Sequence, residues 1–185
     1  KFACLEGLDC GKLYPSLTFY ELPQAVDGFN YSAGKARCIE GKEIPVDGGG
    51  HYLNYVKWQP YGVVGEILPW NGPLMMGCQK VSSILAAGNT VVIKPPSCAS
   101  LSLLELASVF EEAGFPPGVV NIVSGTGSEV GNYMAQSQDI DMLSLTGGVE
   151  TGKKIIENSS DTIKEIALEL GGKNPCIIDS DCDIK

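Results

Sequence analysis

Short apolar runs alternate with helical stretches from Tyr61 onwards, and this alternation constrains the fold more strongly than any other feature of the chain. Near-continuous apolar runs are expected of strands that are covered on both faces of a sheet. Four strand-then-helix units in series therefore predict an α/β fold in which helices flank a doubly wound parallel sheet. The four pairs are GVVGEIL with PLMMGCQKVSSILAA, TVVIK with LSLLELASVFEEA, VVNIVS with SEVGNYMAQ, and DMLSL with VETGKKIIENS.

The helix predicted after TVVIK has the clearest periodicity. Four of its apolar residues fall at positions i, i+3, i+4 and i+7, which predicts one buried face. Ser102 and Glu105 have the spacing of a capping box, so we expect them to cap the start of this helix. The four apolar residues are Leu103, Leu106, Ala107 and Phe110.

The chain before this alternation divides into two segments. Residues 1–40 mix short apolar clusters with charges and are predicted to be helical, with an interruption near Pro23. Residues 41–60 contain a glycine-rich break, DGGG, followed by the stretch His51–Pro60, in which aromatic and polar residues alternate. Such alternation favours an extended, edge-like strand. Residues 61–185 are predicted to form the domain that contains the parallel sheet.

Charge and hydropathy exclude two classes of partner. The 185 residues include 13 lysines and arginines against 22 aspartates and glutamates, which gives a net charge of −9 without a basic stripe. A nucleic-acid partner is therefore not expected. No window approaches the roughly 18 consecutive apolar residues of a membrane span, so we expect no membrane insertion.

The cysteines indicate the compartment. There are seven of them, they form no CxxC pair, and His51 is the one histidine, so no metal site is expected. Most lie in apolar surroundings, where a reduced and packed thiol is the default. With no secretory signal visible, the sequence predicts a reducing, cytoplasmic location.

One carboxylate stands out. Glu169 lies inside the apolar run IALEL, which ends at Gly171 and Gly172 and is predicted to resume as a strand in NPCIID. A buried charge is costly unless it is paired or used. Glu169 is therefore interpreted either as an edge-strand side chain pointing at solvent or as a general base beside a glycine turn.

Ligands of doubly wound sheets bind beyond the carboxyl ends of the strands, and two glycine-rich turns lie there. SGTGSEVG has the spacing GxGxxxG, one residue longer than the usual dinucleotide fingerprint, so Gly127 indicates either a coenzyme turn or close helix packing. LTGGVETGKK ends a strand and begins a helix. Its free N–H groups suit a pyrophosphate, although an ordinary strand-to-helix turn would have the same glycines.

Two polar side chains also follow strands. Lys94 ends TVVIK before two prolines, and it could either donate to a ribose or phosphate or remain solvated. Asn71, in ILPWNGPL, could donate to an oxyanion. It could equally be the N-cap of the next helix, with Pro73 in the first turn.

Taken together, the ordered motifs resemble the NAD(P)-dependent aldehyde dehydrogenase superfamily. The resemblance covers most of the chain and implies a Rossmann-like coenzyme domain, with residues 41–60 belonging to a strand element that helps subunits assemble into a dimer or tetramer. The motifs are PWNGPL, AAGNTVVIKP, EAGFPPGVVNIVSG, LTGGVETG and LELGGKNP, preceded by GLDCGKLY and GKEIPVDGG.

The resemblance also implies roles for individual residues. Asn71 matches the family's oxyanion donor, Glu169 matches the base that activates the deacylating water, and Lys94 matches the lysine that hydrogen-bonds the adenosine ribose. The coenzyme would be NAD or NADP. Its predicted contacts are Ile67, Leu68, Pro69, Trp70, Lys94, Ser97, Gly127, Thr146, Gly147, Gly148, Val149, Gly152 and Leu170.

Two departures from the family pattern concern the coenzyme. Ser97 stands where relatives that prefer NAD often have a glutamate, which would repel a 2′-phosphate, so its absence leaves NADP open. The turn Thr146-Gly147-Gly148 has a glycine where a serine hydroxyl is common, which loosens the expected pyrophosphate contact.

The implied reaction is oxidation of an aldehyde to a carboxylic acid through a thioacyl intermediate on a cysteine. The family's nucleophilic cysteine lies well downstream of LELGGK, and neither Cys176 nor Cys182 has surroundings that resemble its motif. We therefore expect the chain to be a fragment that ends before the catalytic-cysteine domain. The alternative is a non-catalytic homologue that binds a nucleotide or a partner. An acylating or phosphate-reducing relative ranks lower, because such enzymes generally lack the match to Glu169.

Overall fold

The N-terminal region is helical in the computed structural model, which describes residues 1–183. Helix α1 spans Phe2–Cys10 and ends at Gly11, whose φ of 67° lies in the left-handed region that favours glycine. Helix α2, Tyr14–Ser16, leads through a π-helical turn, Leu17–Glu21, into α3, Leu22–Lys35. The interruption predicted near Pro23 is therefore this π-helical turn. Pro23 lies in the first turn of α3, directly after the π-helical turn, and its missing N–H removes one helical hydrogen bond at this junction.

Residues 41–60 form a small antiparallel pair. Strand β1, Lys42–Glu43, pairs with β2, Tyr55–Val56. The longer strand predicted over His51–Pro60 is wrong outside these two residues. All four paired residues are exposed, and an alternating pattern extends a strand only where one of its faces is buried.

The main sheet has five parallel strands in the order β5-β4-β3-β6-β7, which confirms the predicted α/β doubly wound architecture. The chain starts this sheet at its centre and reverses direction across it, as doubly wound sheets do. The strands are β3, Val63–Ile67; β4, Thr90–Lys94; β5, Val120–Ile122; β6, Met142–Gly147; and β7, Glu165–Leu170.

Helices cover both faces of the sheet. On one face α4, Pro73–Ala86, and α5, Leu101–Glu112, form a core with α3 outside them. On the other face α6, Asn132–Gln136, and α7, Val149–Ser159, form a second core. No helix among residues 1–183 combines the length and the apolar character needed to cross a bilayer.

Two local predictions about α5 are wrong. Ser102 lies inside the helix, and its hydroxyl donates to the Glu6 carboxylate at 2.8 Å, whereas Glu105 pairs with Lys1. The capping box is thus replaced by contacts made with distant residues. Ala107 is exposed, although Leu103, Leu106 and Phe110 are buried as predicted, because the core reaches only part of the helix.

The strand predicted over NPCIID is also wrong. No regular structure follows Gly171 and Gly172 up to residue 179, and Ile177 is 90% exposed. An apolar run forms a strand only beside a pairing partner, and β7 has β6 on one side and no other described strand on the other.

Candidate functional site

A cleft of about 740 Å³ opens at the carboxyl ends of β3, β6 and β7, where the doubly wound topology predicts a ligand. It brings together most of the predicted site residues. The cleft is lined by Ile67, Leu68, Pro69, Trp70, Asn71, Met76, Lys80, Pro96, Leu145, Thr146, Gly147, Gly148, Thr151, Glu169, Leu170 and Gly171.

The loop between β3 and α4 forms one wall. Gly72, not Asn71, is the N-cap of α4, and Pro73 occupies the first turn, so the alternative interpretation of Asn71 as a cap is wrong. The Asn71 side chain is exposed in the cleft and has no hydrogen-bond partner among residues 1–183. Its amide is therefore free to donate to a ligand oxygen.

Helix α1 holds this loop from behind. The buried Glu6 carboxylate accepts hydrogen bonds from the Leu74 N–H at 3.3 Å and from the Ser102 hydroxyl at 2.8 Å. Burial alone would lower the pKa of Lys12, but its hydrogen bonds to Glu21 at 2.6 Å and to Glu6 at 3.1 Å leave that pKa raised. The Cys10 thiol contacts the Trp70 carbonyl at 3.6 Å. The Glu6 carboxylate, at the start of α4, thus connects the Asn71 loop to α1, α4 and α5.

Strands β6 and β7 form the opposite wall. Their register pairs Thr146 with Glu169 and Gly147 with Leu170. Glu169 is exposed and lines the cleft, whereas the Thr146 hydroxyl oxygen is buried without a hydrogen-bond partner among the described residues. A buried unpaired hydroxyl beside an open cleft is a position where a ligand would supply the missing partner.

The turn between β6 and α7 presents free backbone N–H groups to open space. Gly148 precedes the helix and offers no side-chain cap, so the N–H groups of the first turn remain available. A Cβ atom at Gly148 would meet nothing within 4 Å, and the space in front of the turn is open. Gly152 lets α7 approach β7, because a Cβ there would lie 2.9 Å from the Leu170 side chain. These features fit a pyrophosphate.

Five predicted coenzyme contacts do not line the cleft. Lys94 is 4% exposed and donates to the Pro95 carbonyl at 2.8 Å, so it is not the solvated strand-end lysine of the alternative interpretation. Burial lowers its pKa, against a smaller opposing effect of Cys98. Ser97 donates to the Gly125 carbonyl at 2.9 Å. The others outside the lining are Gly127, Val149 and Gly152.

The GxGxxxG turn has an internal explanation. Thr126 caps the helical turn that follows, since its hydroxyl accepts from the Glu129 N–H at 3.2 Å. Gly131, the last glycine, is buried, and a Cβ there would touch the Lys94 stem at 4.0 Å. The contacts of this turn are those of helix capping and close packing.

The sequence prediction missed Lys80, which lies on α4 and lines the cleft. Its Nζ donates to the Ser144 hydroxyl at 3.0 Å and lies 3.8 Å from the Glu66 carboxylate. A signal was present, since Lys80 is the one charged residue in the stretch PLMMGCQKVSSILAA. The other cleft residues that were missed are Met76, Pro96, Leu145, Thr151 and Gly171.

No cysteine lines this cleft, although all seven lie within the described residues. Cys78 is buried in the α4 core, and burial raises the pKa of its thiol to about 12, which disfavours the nucleophilic thiolate. Within residues 1–183 there is also no group of three or more side chains that could hold a metal ion.

Comparison with known proteins agrees with this geometry. A model of the aldehyde dehydrogenase family matches residues 1–185. Human aldehyde dehydrogenase 1A1 is 43% identical over 183 residues, which cover 98% of this chain and 36% of that protein. Aldehyde dehydrogenase, cytosolic 1, from Macroscelides proboscideus is 42% identical with the same coverage.

The chain belongs to the aldehyde dehydrogenase family. The NAD+ complex of aldehyde dehydrogenase from Bacillus cereus superposes with a TM-score of 0.91 at 45% identity, over 99% of this chain and 37% of that one. The likeness to these aldehyde dehydrogenases extends through the Rossmann-like sheet. The chain spans little more than a third of the length of the relatives it matches.

Proposed function

We propose that this chain forms the coenzyme-binding part of an enzyme that oxidises an aldehyde to a carboxylic acid with NAD(P)+. The observation that carries the proposal is the single cleft lined by Asn71, Glu169 and the Gly147-Gly148 turn. An oxyanion donor, a carboxylate and an anion-binding helix start are the three groups that this reaction needs from a coenzyme domain.

The coenzyme would lie across the carboxyl ends of β3 and β6. The turn at Gly148 and the first N–H groups of α7 would hold its pyrophosphate, and Trp70 would flank it. The bound coenzyme supplies a hydride acceptor. The likeness to an NAD+ complex supports NAD, and Ser97, which adds no negative charge, leaves room for the 2′-phosphate of NADP.

The two polar walls would act in succession. When a thiolate attacks the aldehyde carbon, the carbonyl oxygen becomes negative, and the free Asn71 amide would donate to it. After oxidation, Glu169 would take a proton from the water that attacks the thioester. The thiolate in this proposal comes from a cysteine outside residues 1–185, because none of the seven lines the cleft.

The same lack of a cleft thiol favours a second candidate, a homologue that binds a nucleotide without catalysis. An assay separates the two. The full-length protein should form NADH or NADPH from an aldehyde, and Asn71→Ala should slow this by roughly 100 to 1000-fold. Asn30→Ala, on helix α3 outside the cleft, is the matched control. Coenzyme binding without product formation from any of a broad set of aldehydes would leave the binding homologue as the answer.

Assembly and location complete the proposal. The exposed β1–β2 pair would belong to an element that joins subunits into a dimer or tetramer. The relative named for the cytosol supports a cytoplasmic location. Light scattering of the full-length protein, with and without residues 41–60, tests the assembly.

A further inference from the structure

A second carboxylate lies beneath the cleft. Glu66 is in β3, the central strand, and its side chain is fully buried at 0% exposure. Neither of its carboxylate oxygens has a hydrogen-bond partner within 3.5 Å among the described residues, although the Lys80 ammonium and the Ser144 hydroxyl lie near enough to act on the carboxyl. A buried carboxylate in this state is costly, and such costs are retained mainly where they serve a purpose.

Lys80 connects this carboxylate to the cleft. Its Nζ lies 3.8 Å from the nearer Glu66 oxygen and donates to the Ser144 hydroxyl at 3.0 Å. Ser144 is the register partner of Glu66 on β6. The Lys80 side chain remains 23% exposed and lines the cleft with Thr146 and Gly147. The ammonium therefore touches the buried carboxylate on one side and the ligand space on the other.

The surroundings of Glu66 favour the protonated, uncharged form of its carboxyl group. Burial raises its pKa from 4.5 to about 7, against opposing effects of the Lys80 charge and the Ser144 hydroxyl. Helix α4 contributes Lys80 to this face, β6 contributes Ser144, and Ile93 of β4 is the apolar register partner on the other side. Lys80 is the one charged group within residues 1–183 that acts on this carboxyl.

We propose that Glu66 is a positioning residue that acts through Lys80. It sets the net charge of the cleft floor, which is formed by Glu66, Lys80 and Ser144. With Glu66 protonated the floor carries the Lys80 charge alone, and with Glu66 ionised the pair is neutral. The ligand that would respond is a dinucleotide, whose pyrophosphate is anionic at either state. This inference rests on the proposed coenzyme site and adds a pH dependence to it.

The direction of the effect follows from the charges. Below the pKa of Glu66 the floor is positive and attracts the pyrophosphate, whereas above it the attraction is lost. Binding of NADH should therefore weaken as the pH rises through about 7. One unit charge acting across a partly screened cleft is worth roughly a two- to fivefold change in affinity.

The test is NADH binding to the full-length protein, followed by coenzyme fluorescence at about one unit below and about one unit above that pKa. Glu66→Gln should bind equally well at both, and at the higher pH it should bind roughly two- to fivefold more tightly than the unchanged protein. Glu165→Gln, at the amino end of β7, is the control and should keep the wild-type pH dependence. If Glu66→Gln does not fold, Lys80→Met provides the test, and it should bind NADH weakly at both pH values.

The outcomes separate this inference from the proposed function. Tight binding with the same pH dependence in Glu66→Gln and in the unchanged protein would overturn the inference alone. If none of the folded proteins bound NADH or NADPH, the proposed coenzyme site would be wrong, and the inference would be wrong with it.

Discussion

Thr146 and Glu169 are register partners on neighbouring parallel strands, with an unsatisfied buried hydroxyl on β6 and an exposed carboxylate beside it on β7. Their Cβ atoms point to the same face of the sheet, since paired residues share a face. The strand pairing therefore fixes the position of the Glu169 backbone beside the cleft. In the proposed reaction, a base whose backbone is held in this way would need less reorganisation to reach its water.

Glu169→Gln should separate the two halves of the reaction in the full-length enzyme. The amide keeps the size of the side chain but cannot take a proton, so turnover should fall by roughly 100 to 10,000-fold. The first equivalent of NADH should still form in a burst, because hydride transfer precedes the water step. Rapid-mixing absorbance checks this, with Glu165→Gln as the control from the same strand. Equal loss of burst and steady state would contradict the base role.

Gly148→Ser should tighten coenzyme binding without a loss of stability. A Cβ atom at this position meets nothing within 4 Å, and its φ of −76° suits any residue. The added hydroxyl can donate to a pyrophosphate oxygen, a bond worth about 1 kcal/mol or roughly fivefold in affinity. Fluorescence titration with NADH measures the gain, and thermal unfolding without coenzyme checks the stability. Weaker binding by the folded variant would show that the pyrophosphate lies elsewhere.

Gly152→Ala supplies the matched contrast to Gly148→Ser. Its methyl group would fall 2.9 Å from the Leu170 side chain, so either that side chain must change its rotamer or α7 must move away from β7. We expect a loss of stability of about 1 to 3 kcal/mol from this crowding. Unfolding by urea measures the loss, and an unchanged midpoint would mean that Leu170 moves aside freely.

Ser97→Glu should shift the coenzyme preference towards NAD. Ser97 is exposed just beyond β4, and its hydroxyl now donates to the Gly125 carbonyl. A carboxylate there would repel the 2′-phosphate of NADP, so the affinity ratio of NAD to NADP should rise by roughly tenfold. Binding of both coenzymes to the variant and the unchanged protein gives this ratio, and Ser97→Gln controls for size. The same shift in Ser97→Gln would rule out a charge effect.

Glu66→Gln should stabilise the fold in a pH-dependent way. The folded-state pKa of about 7 lies above the ordinary 4.5, so the folded protein binds the proton more tightly, and its stability falls as pH rises from 4.5 to 7. Above that window the unchanged protein bears a penalty on the order of 3 kcal/mol, which the variant lacks. Denaturant unfolding at both ends of the window should show the gap close towards the acidic end. A constant gap would assign the effect to packing.

The fold was predictable because the parallel strands are marked by apolar runs in the local sequence. TVVIK and DMLSL are apolar on both faces, and each is followed by a helical pattern whose end lies within one residue of the end of the observed helix. The errors involve partners that are distant in the chain. Ser102 bonds to Glu6, 96 residues away, and no local pattern encodes that contact. The apolar run NPCIID has strand propensity but no described strand to pair with.

The candidate site was only partly predictable for the same reason. Glu169 was singled out as a charge inside an apolar run, yet Glu66 in GVVGEIL and Lys80 in α4 meet the same criterion. That Glu66 and Lys80 lie beside each other becomes visible only when β3, α4 and β6 are packed together. Lys94 shows the converse, since a strand-end position does not reveal that its ammonium turns to the Pro95 carbonyl.

Strand β7 lies at the edge of the described sheet and also forms one wall of the cleft. Within residues 1–183 it is the outermost strand on its side, so the backbone groups along its outer border are open to another segment. Glu169 and Leu170 belong to that strand and also line the cleft. Whatever chain docks along this border will stiffen or tilt one wall of the cleft. Docking and ligand affinity would then be thermodynamically linked, each changing the other by the same free energy.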